Sequence, residues 1–277
     1  MSRVPWPVNL DLAQDARVGV VIVNYNTREL LAQVIYSLYR CVHFPRFHLV
    51  VVDNASTDDS PTLLTALSDA GMCDAIFNRA QQYHGPGLNQ GFDHLSRRQS
   101  IVAARDRLRA VWVLDSDCVV MREDALSAAV DVMHGTGAGI VGQWVEDQWH
   151  HGDMMGLHSL LLDPGRVWQR AITPFQEHGN PSEALQRSAT RAGIVSAEFP
   201  FTRGGYVVHI GRGTLRSIAQ HDEQANRYFI WATDHNEPHF VLEAEAPARY
   251  RRFLEEFRAD VGAVYAESLI EACARYR

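Results

Sequence analysis

Three short apolar runs, each closed by a polar cluster and followed by residues at helical spacing, constrain this chain more than any other feature. Val18 to Val23 is such a run, after which Leu31, Val34, Ile35 and Leu38 recur on one helical stripe. His48 to Val52 repeats the pattern. Ser60-Pro61 then offers an N-cap and a first-turn proline for a helix bearing Leu63, Leu64 and Leu67. The pattern predicts a short third strand over Asp74 to Phe77, a Gly/Pro loop at His84 to Gly87, a helix from Asn89 towards Arg109 and a fourth strand over Ala110 to Leu114. A helix with Leu126, Ala129, Val130 and Met133 on one face and a strand from Ala138 to Val145 follow. Strands buried on both faces and separated by helices predict an α/β fold with a mostly parallel central sheet flanked by helices.

Beyond Trp144 the texture changes, with Trp149, Trp168 and several histidines in irregular stretches. Asn180-Pro181-Ser182-Glu183 has the form of a helix start, with an Asn180 cap that Glu183 reciprocates and Gly193 as the stop. Tyr206 to Ile210 is expected to return to the sheet. Phe253, Leu254, Phe257, Val261, Val264 and Tyr265 predict one long amphipathic tail helix. With no repeat or clear linker, residues 1–277 read as a single domain with two functional halves, 17–145 and 146–277.

The net charge of -7 argues against a nucleic-acid partner. No apolar stretch approaches the length of a transmembrane helix, and Met1 to Asp15 lacks an apolar signal-peptide core, so a cytoplasmic location is expected. Cys41, Cys73, Cys118 and Cys273 are widely spaced and form no Cys-x-x-Cys, which fits reduced structural thiols rather than zinc or disulfide chemistry.

Ligands of open α/β sheets bind beyond the carboxyl ends of the strands, so the polar clusters there carry the functional information. They are Asn24-Tyr25-Asn26-Thr27, Asp53-Asn54-Ala55-Ser56-Thr57-Asp58-Asp59 and Asp115-Ser116-Asp117. In an extended segment, acids at i and i+2 point the same way, so Asp115 and Asp117 can face one hard cation, Mg2+ or Mn2+. The bland alternative is a solvated pair at a strand end. Asn26 also has the form of a helix cap reciprocated by Glu29.

Taken together, Val20-Val-Ile-Val-Asn-Tyr-Asn26, Val50-Val-Val-Asp-Asn-Ala-Ser-Thr-Asp58 and the Asp-x-Asp resemble a family 2 glycosyltransferase of GT-A fold over roughly residues 17 to 215. The resemblance implies a Rossmann-like nucleotide-sugar-binding half at 17–145 and an acceptor-binding half at 146–277. It implies an inverting, metal-dependent transfer from a UDP-, GDP- or dTDP-linked sugar to a hydroxyl of a glycan or small molecule. Asn24, Tyr25, Asn26, Asp53 and Asn54 would then serve the base and ribose, Gly87 and Asn89 the donor's glycine-rich loop, and Asp115, Ser116 and Arg212 the diphosphate. Asp115, Asp117 and His209 would hold Mn2+ or Mg2+, His209 lying in Val207-Val-His-Ile-Gly-Arg-Gly-Thr214.

Inversion needs a base for the acceptor hydroxyl. By resemblance Glu183 stands nearest the family position, although Pro181-Ser182-Glu183 replaces the usual Glu-Asp signature. Glu177 follows, with Asp153 behind it. A sugar-phosphate nucleotidyltransferase is the alternative enzyme, but Asn24-Tyr25-Asn26 is not its Gly-rich basic signature. A catalytically silent nucleotide-sugar-binding protein is the alternative from another class.

Overall fold

The computed structural model describes residues 17–43, 46–99, 108–146, 151–177, 180–210, 246–262 and 266–276. The first half follows the predicted alternation: β1 (Arg17–Asn24), α1 (Arg28–Cys41), β2 (Phe47–Asp53), α2 (Ser60–Asp69), β3 (Asp74–Phe77), α3 (His84–Gln99) and β4 (Leu108–Leu114). Then come β5 (Cys118–Val120), α4 (Ala125–Thr136), β6 (Ile140–Glu146), β7 (His151–Leu162), α5 (Pro164–Val167), α6 (Glu183–Arg191), β8 (Ser196–Glu198) and β9 (Val207–His209). The tail forms α7 (Ala246–Val261) and α8 (Ala266–Ala274). No helix among the described residues is long and apolar enough to cross a membrane.

A seven-stranded sheet runs in the order β3-β2-β1-β4-β7-β6-β8, and β5 pairs with β9 in a small second sheet. β1 is parallel to β2 and β4, β2 to β3 and β6 to β8, while β7 is antiparallel to β4 and β6. Alternation along β1 explains why its run is apolar throughout. Val18, Val20 and Ile22 face a core built with α1, α2, α4, α7 and α8, and Val21 and Val23 face a second core built with Leu88, Phe92, Trp168 and Phe175.

Several expectations are corrected. The loop predicted at His84 to Gly87 is the first turn of α3, because Pro86 tolerates the start of a helix, where its missing N–H would have no partner. Gly87 and Gly91, one turn apart, let α3 lie against β1: an added Cβ would meet Val23 at 3.0 Å and Val21 Cγ1 at 2.5 Å. The helix ends at Gln99 and Arg109 belongs to β4, with residues 100–107 outside the described residues. β7 sits in the middle of the sheet where irregular structure was expected, and its buried Ser159 accepts from Trp112 Nε1 at 2.9 Å. Tyr206 to Ile210 does not rejoin the main sheet, since β9 pairs only with β5 among the described residues. Gly262, at φ 66°, ends α7 in the left-handed conformation and splits the expected single tail helix; Val264 and Tyr265 lie outside the described residues.

The close approach of α3 to β1 is testable by denaturant unfolding. Gly91→Val forces a side chain into Val21, and overpacking of that kind is expected to destabilise by about 1–3 kcal/mol. Gly135→Ala, at an exposed helical position with nothing near an added Cβ, is the control and should stabilise by roughly 0.5–1 kcal/mol.

Candidate active site

β1, β2 and β4 are neighbours and parallel, so the polar clusters after them meet on one edge. Asn24 and Asp53 are register partners. Asn24 Nδ2 donates to Asp53 Oδ2 at 2.9 Å and to Ser56 Oγ at 3.1 Å, and Ser56 N donates to Asp53 Oδ1 at 2.9 Å. Thr27 Oγ1 donates to Asn24 Oδ1 at 2.6 Å and shares a 3.0 Å hydrogen bond with Ser116 Oγ. A single chain of hydrogen bonds therefore runs from Asp53 to the residue between the two acids. Asp53 is 1% exposed and Asn24 0%, so these bonds form away from water, where losing one is costly.

Asn26 is not the cap of α1; that place falls to Thr27, whose side chain makes no capping bond. Asn26 adopts φ 52°, a left-handed conformation that asparagine tolerates, and its Oδ1 accepts from Thr57 N at 2.7 Å and Asp58 N at 3.3 Å. Asp58, which sequence reasoning missed, does the capping from the opposite loop. Its Oδ2 accepts from Arg28 N at 3.0 Å and its Oδ1 from Ser60 N at 2.9 Å, so one carboxylate serves the N-termini of both α1 and α2. Ser60 is accordingly the first residue of α2 and not its cap, which is Asp59.

Asp115-Ser116-Asp117 is a turn and not an extended segment: Cys118 N donates back to Asp115 O at 3.0 Å, and His158 O accepts from Asp115 N at 3.0 Å. The two carboxylates nonetheless converge, because β5 leaves the turn paired with β9 in a register that sets Cys118 opposite His209. His209 Nε2 lies 3.2 Å from Asp117 Oδ1 and 3.8 Å from Asp115 Oδ2. His84 approaches from the start of α3, with Nε2 3.5 Å from Asp115 Oδ1. The His158 ring stacks on His209 with centroids 4.7 Å apart and planes within 7°, fixing the orientation of that imidazole.

Burial pushes the Asp115 carboxyl above the usual range; His84 draws it down and the charge of Asp117 pushes it up again. Burial, then the charge of His209, pushes the His158 imidazole down to about 3, so it is neutral at physiological pH. Asp117, Cys118 and His209 each bring a ligand atom within 4.8 Å of the others. Burial, then the charges of Asp117 and Asp115, hold the Cys118 thiol well above its ordinary value, and its soft sulfur suits Mn2+ or Mg2+ less well than carboxylate oxygen does. The Asp117 carboxylate and the His209 imidazole lie close enough to share a divalent cation, and Asp115 stands beside them, 3.8 Å from His209 and outside the group of ligand atoms that lie mutually within 4.8 Å.

Other predicted residues stand differently. Asn54 braces the segment after β3: its Nδ2 donates to Gln82 O at 2.6 Å and its Oδ1 accepts from Asn78 Nδ2 at 2.8 Å. Asn89 clasps the Phe175 backbone, donating to its carbonyl at 2.9 Å and accepting from its N–H at 3.1 Å. Tyr25 is half-buried beside Asn24. Glu183 opens α6 and accepts from Arg187 Nε at 2.8 Å rather than reciprocating a cap, while Asn180 Oδ1 accepts from Ser182. Asp153 meets the same Arg187 at 3.5 Å. Exposed Glu177 follows Gln176, whose carbonyl packs against Gly85, next to His84. Arg212 lies outside the described residues. A cavity of about 710 Å³ opens at the opposite edge of the sheet, among Tyr39, Arg46, Phe47 and Asp74, and none of the predicted site residues lines it.

A mostly parallel seven-stranded sheet flanked by helices is the architecture of the GT-A fold. The family model described as glycosyl transferase family 2 matches residues 19–192, and the chain belongs to that family. It is a glycosyltransferase. Among solved structures it is similar to the mannosyltransferase PcManGT from Pyrobaculum calidifontis, in complex with GDP-Man and Mn2+, at 18% identity and a TM-score of 0.54, covering 98% of this chain and 83% of that one. It is similar also to S. aureus TarS 1-349 in complex with UDP-GlcNAc, at 12% identity and a TM-score of 0.51, covering 94% and 80%. At these identities the likeness is one of fold. A search of curated proteins gives no match.

The shared cap makes a local prediction. Asp58→Ala leaves the first turns of α1 and α2 uncapped together, and thermal or urea unfolding should report a loss of about 1–3 kcal/mol. An unchanged stability would show that water replaces the carboxylate without loss.

Proposed function

We propose that the protein moves a sugar, with inversion at the anomeric carbon, from a nucleoside-diphosphate-sugar to a hydroxyl of a glycan or small-molecule acceptor, with the help of Mn2+ or Mg2+. One observation carries the reading: Asp115, Asp117 and His209 converge at the end of a hydrogen-bonded chain that begins at Asp53. Those three residues would hold the cation, which when bound offsets negative charge on the departing diphosphate. Asp53 and Asn24 shape the loop that receives the nucleoside, with Tyr25 placed to cover a base face. The relatives were solved with GDP-Man and with UDP-GlcNAc, so UDP, GDP and dTDP donors all belong in the assay.

The acceptor hydroxyl must lose a proton as it attacks, and Glu183 and Glu177 are the two proposed bases. Arg187 orients the Glu183 carboxylate from one turn along α6. Glu177 lies on the segment packed over the start of α3, beside His84. Transfer of this kind needs no covalent enzyme nucleophile, only positioning and charge stabilisation.

The test is turnover with a panel of nucleotide-sugars and acceptors plus Mn2+, the anomeric configuration of product being read by NMR. Asp117→Ala should abolish metal-dependent turnover. Replacing the true base, by Glu183→Gln or Glu177→Gln, should lower kcat by roughly 100- to 10,000-fold with little change in donor KM. Full activity in Asp117→Ala, or retained configuration in the product, would contradict the proposal. Donor binding with no turnover across the panel would favour a silent binding protein.

A further inference from the structure

Gln186 is polar yet sits on the buried face of its helix. α6 turns Leu185, Gln186, Ser188 and Ala189 inward, and Gln186 is 6% exposed. A buried carboxamide is costly unless its donors and its acceptor find partners. Here they do. Gln186 Nε2 donates to Met155 O at 2.9 Å and to Ser182 Oγ at 2.9 Å, and Gln186 Oε1 accepts from Met155 N at 2.8 Å. β4 ends opposite Ser159, and at Met155 this side chain meets both backbone groups of β7 as a neighbouring strand would.

We propose that Gln186 is a positioning residue for the transfer, an inference that rests on the function proposed above and commits it to Glu183 as the base. By clasping Met155 it sets α6, and the Glu183 carboxylate at its start, at a fixed reach from the cation site. β7 is the shared support. Three residues after Met155, His158 O accepts from Asp115 N at 3.0 Å and the His158 ring stacks on His209. One strand therefore holds the base-bearing helix at one residue and the acid turn at another, at most about 11 Å away along the chain.

The strand is irregular between those two holds. Gly142 pairs with Leu160 and Trp144 with Met155, so β7 spans five residues where β6 spans two. Gly156 lies in this bulged stretch, and an added Cβ would meet His158 Cε1 at 2.6 Å, so the ring folds back over it. A bulge of this kind re-aims a side chain and bends its strand, and Gln186 braces the flank of the bend at Met155. A second tie runs over the surface. Glu183 Oε1 accepts from Arg187 Nε at 2.8 Å, and the same guanidinium reaches Asp153, two residues before Met155, at 3.5 Å. Exposed ion pairs are weak, so the buried clasp carries the placement. In an inverting step base and leaving group stand on opposite sides of the anomeric carbon, and a misplacement of about 1 Å can cost roughly 100-fold in rate.

The experiment uses the full chain with the donor, acceptor and Mn2+ that give turnover in the panel above, comparing wild type, Gln186→Leu, Glu183→Gln and the double variant. Gln186→Leu should lower kcat by about 10- to 100-fold, with donor KM and Mn2+ affinity within about twofold of wild type. In the Glu183→Gln background the same substitution should change kcat by less than about twofold, because a residue that acts through Glu183 has nothing left to place. Partial unfolding would lower kcat by the same factor in both backgrounds, so the cycle separates the two. If Gln186→Leu does not fold, Ser182→Ala, which removes one bond of the clasp, enters the same cycle and should show the same pattern at smaller size. Equal kcat losses in both backgrounds, or unchanged kcat in the folded variant, overturn the positioning role. Full activity in Glu183→Gln overturns it too, while leaving the proposed transfer standing with Glu177 as its base. Wild type that binds donor without turnover brings down the transfer itself, and this role with it.

Discussion

The site depends on one buried run of hydrogen bonds: Asp53 to Asn24, Asn24 to Thr27, Thr27 to Ser116. It ties together three strand ends that are 29 and 89 residues apart along the chain at its two long steps. A buried carboxylate left unpartnered would be strongly destabilising, so the loops after β1 and β2 have little freedom to move independently. That rigidity reaches the acids. Ser116 lies between Asp115 and Asp117, so the brace that ties the loops after β1 and β2 also sets the turn that carries the two acids.

Electrostatics gives the clamp its direction. Asp115 and Asp117 sit at a poorly solvated turn, with the His84 imidazole 3.5 Å from Asp115 and the His209 imidazole 3.2 Å from Asp117. A fixed cationic side chain would neutralise the acids permanently. In the proposed reading, imidazoles leave room for a metal ion that could also contact the donor's diphosphate. The ladder between β5 and β9 matters for the same reason, since it holds His209 beside Asp117 with hydrogen-bonded backbone, and the stacked, neutral His158 keeps its ring from turning.

Much of this was legible in the sequence because it is local. β1 to β4 and their helices were read from uninterrupted apolar runs and helical stripes, and the acids from their place after those runs. What escaped depends on distant partners. β7 is buried in mid-sheet, so it lacks the polar alternation that marks an exposed strand, and the polar His158 and Ser159 within it find partners supplied only by the fold. β5 and β9, three residues each, carry too little pattern to be seen alone. His84 was hidden in an apparent Gly/Pro loop. Its glycines serve close packing, a signal that the stretch Gly85, Gly87 and Gly91 contained and that their spacing could have revealed. Asp58 looked like one more loop acid until two helix N-termini were found on it.

The central claim is that this turn is where cation and nucleoside diphosphate meet. Diffraction from crystals grown with Mn2+ and UDP or GDP, recorded at the manganese absorption edge, addresses it directly. The account predicts one anomalous peak within bonding distance of Asp117 and His209, with the diphosphate beside it and the nucleoside over the loop braced by Asn24 and Asp53. A nucleotide bound with no manganese at that turn, or manganese bound away from those two side chains, would contradict it.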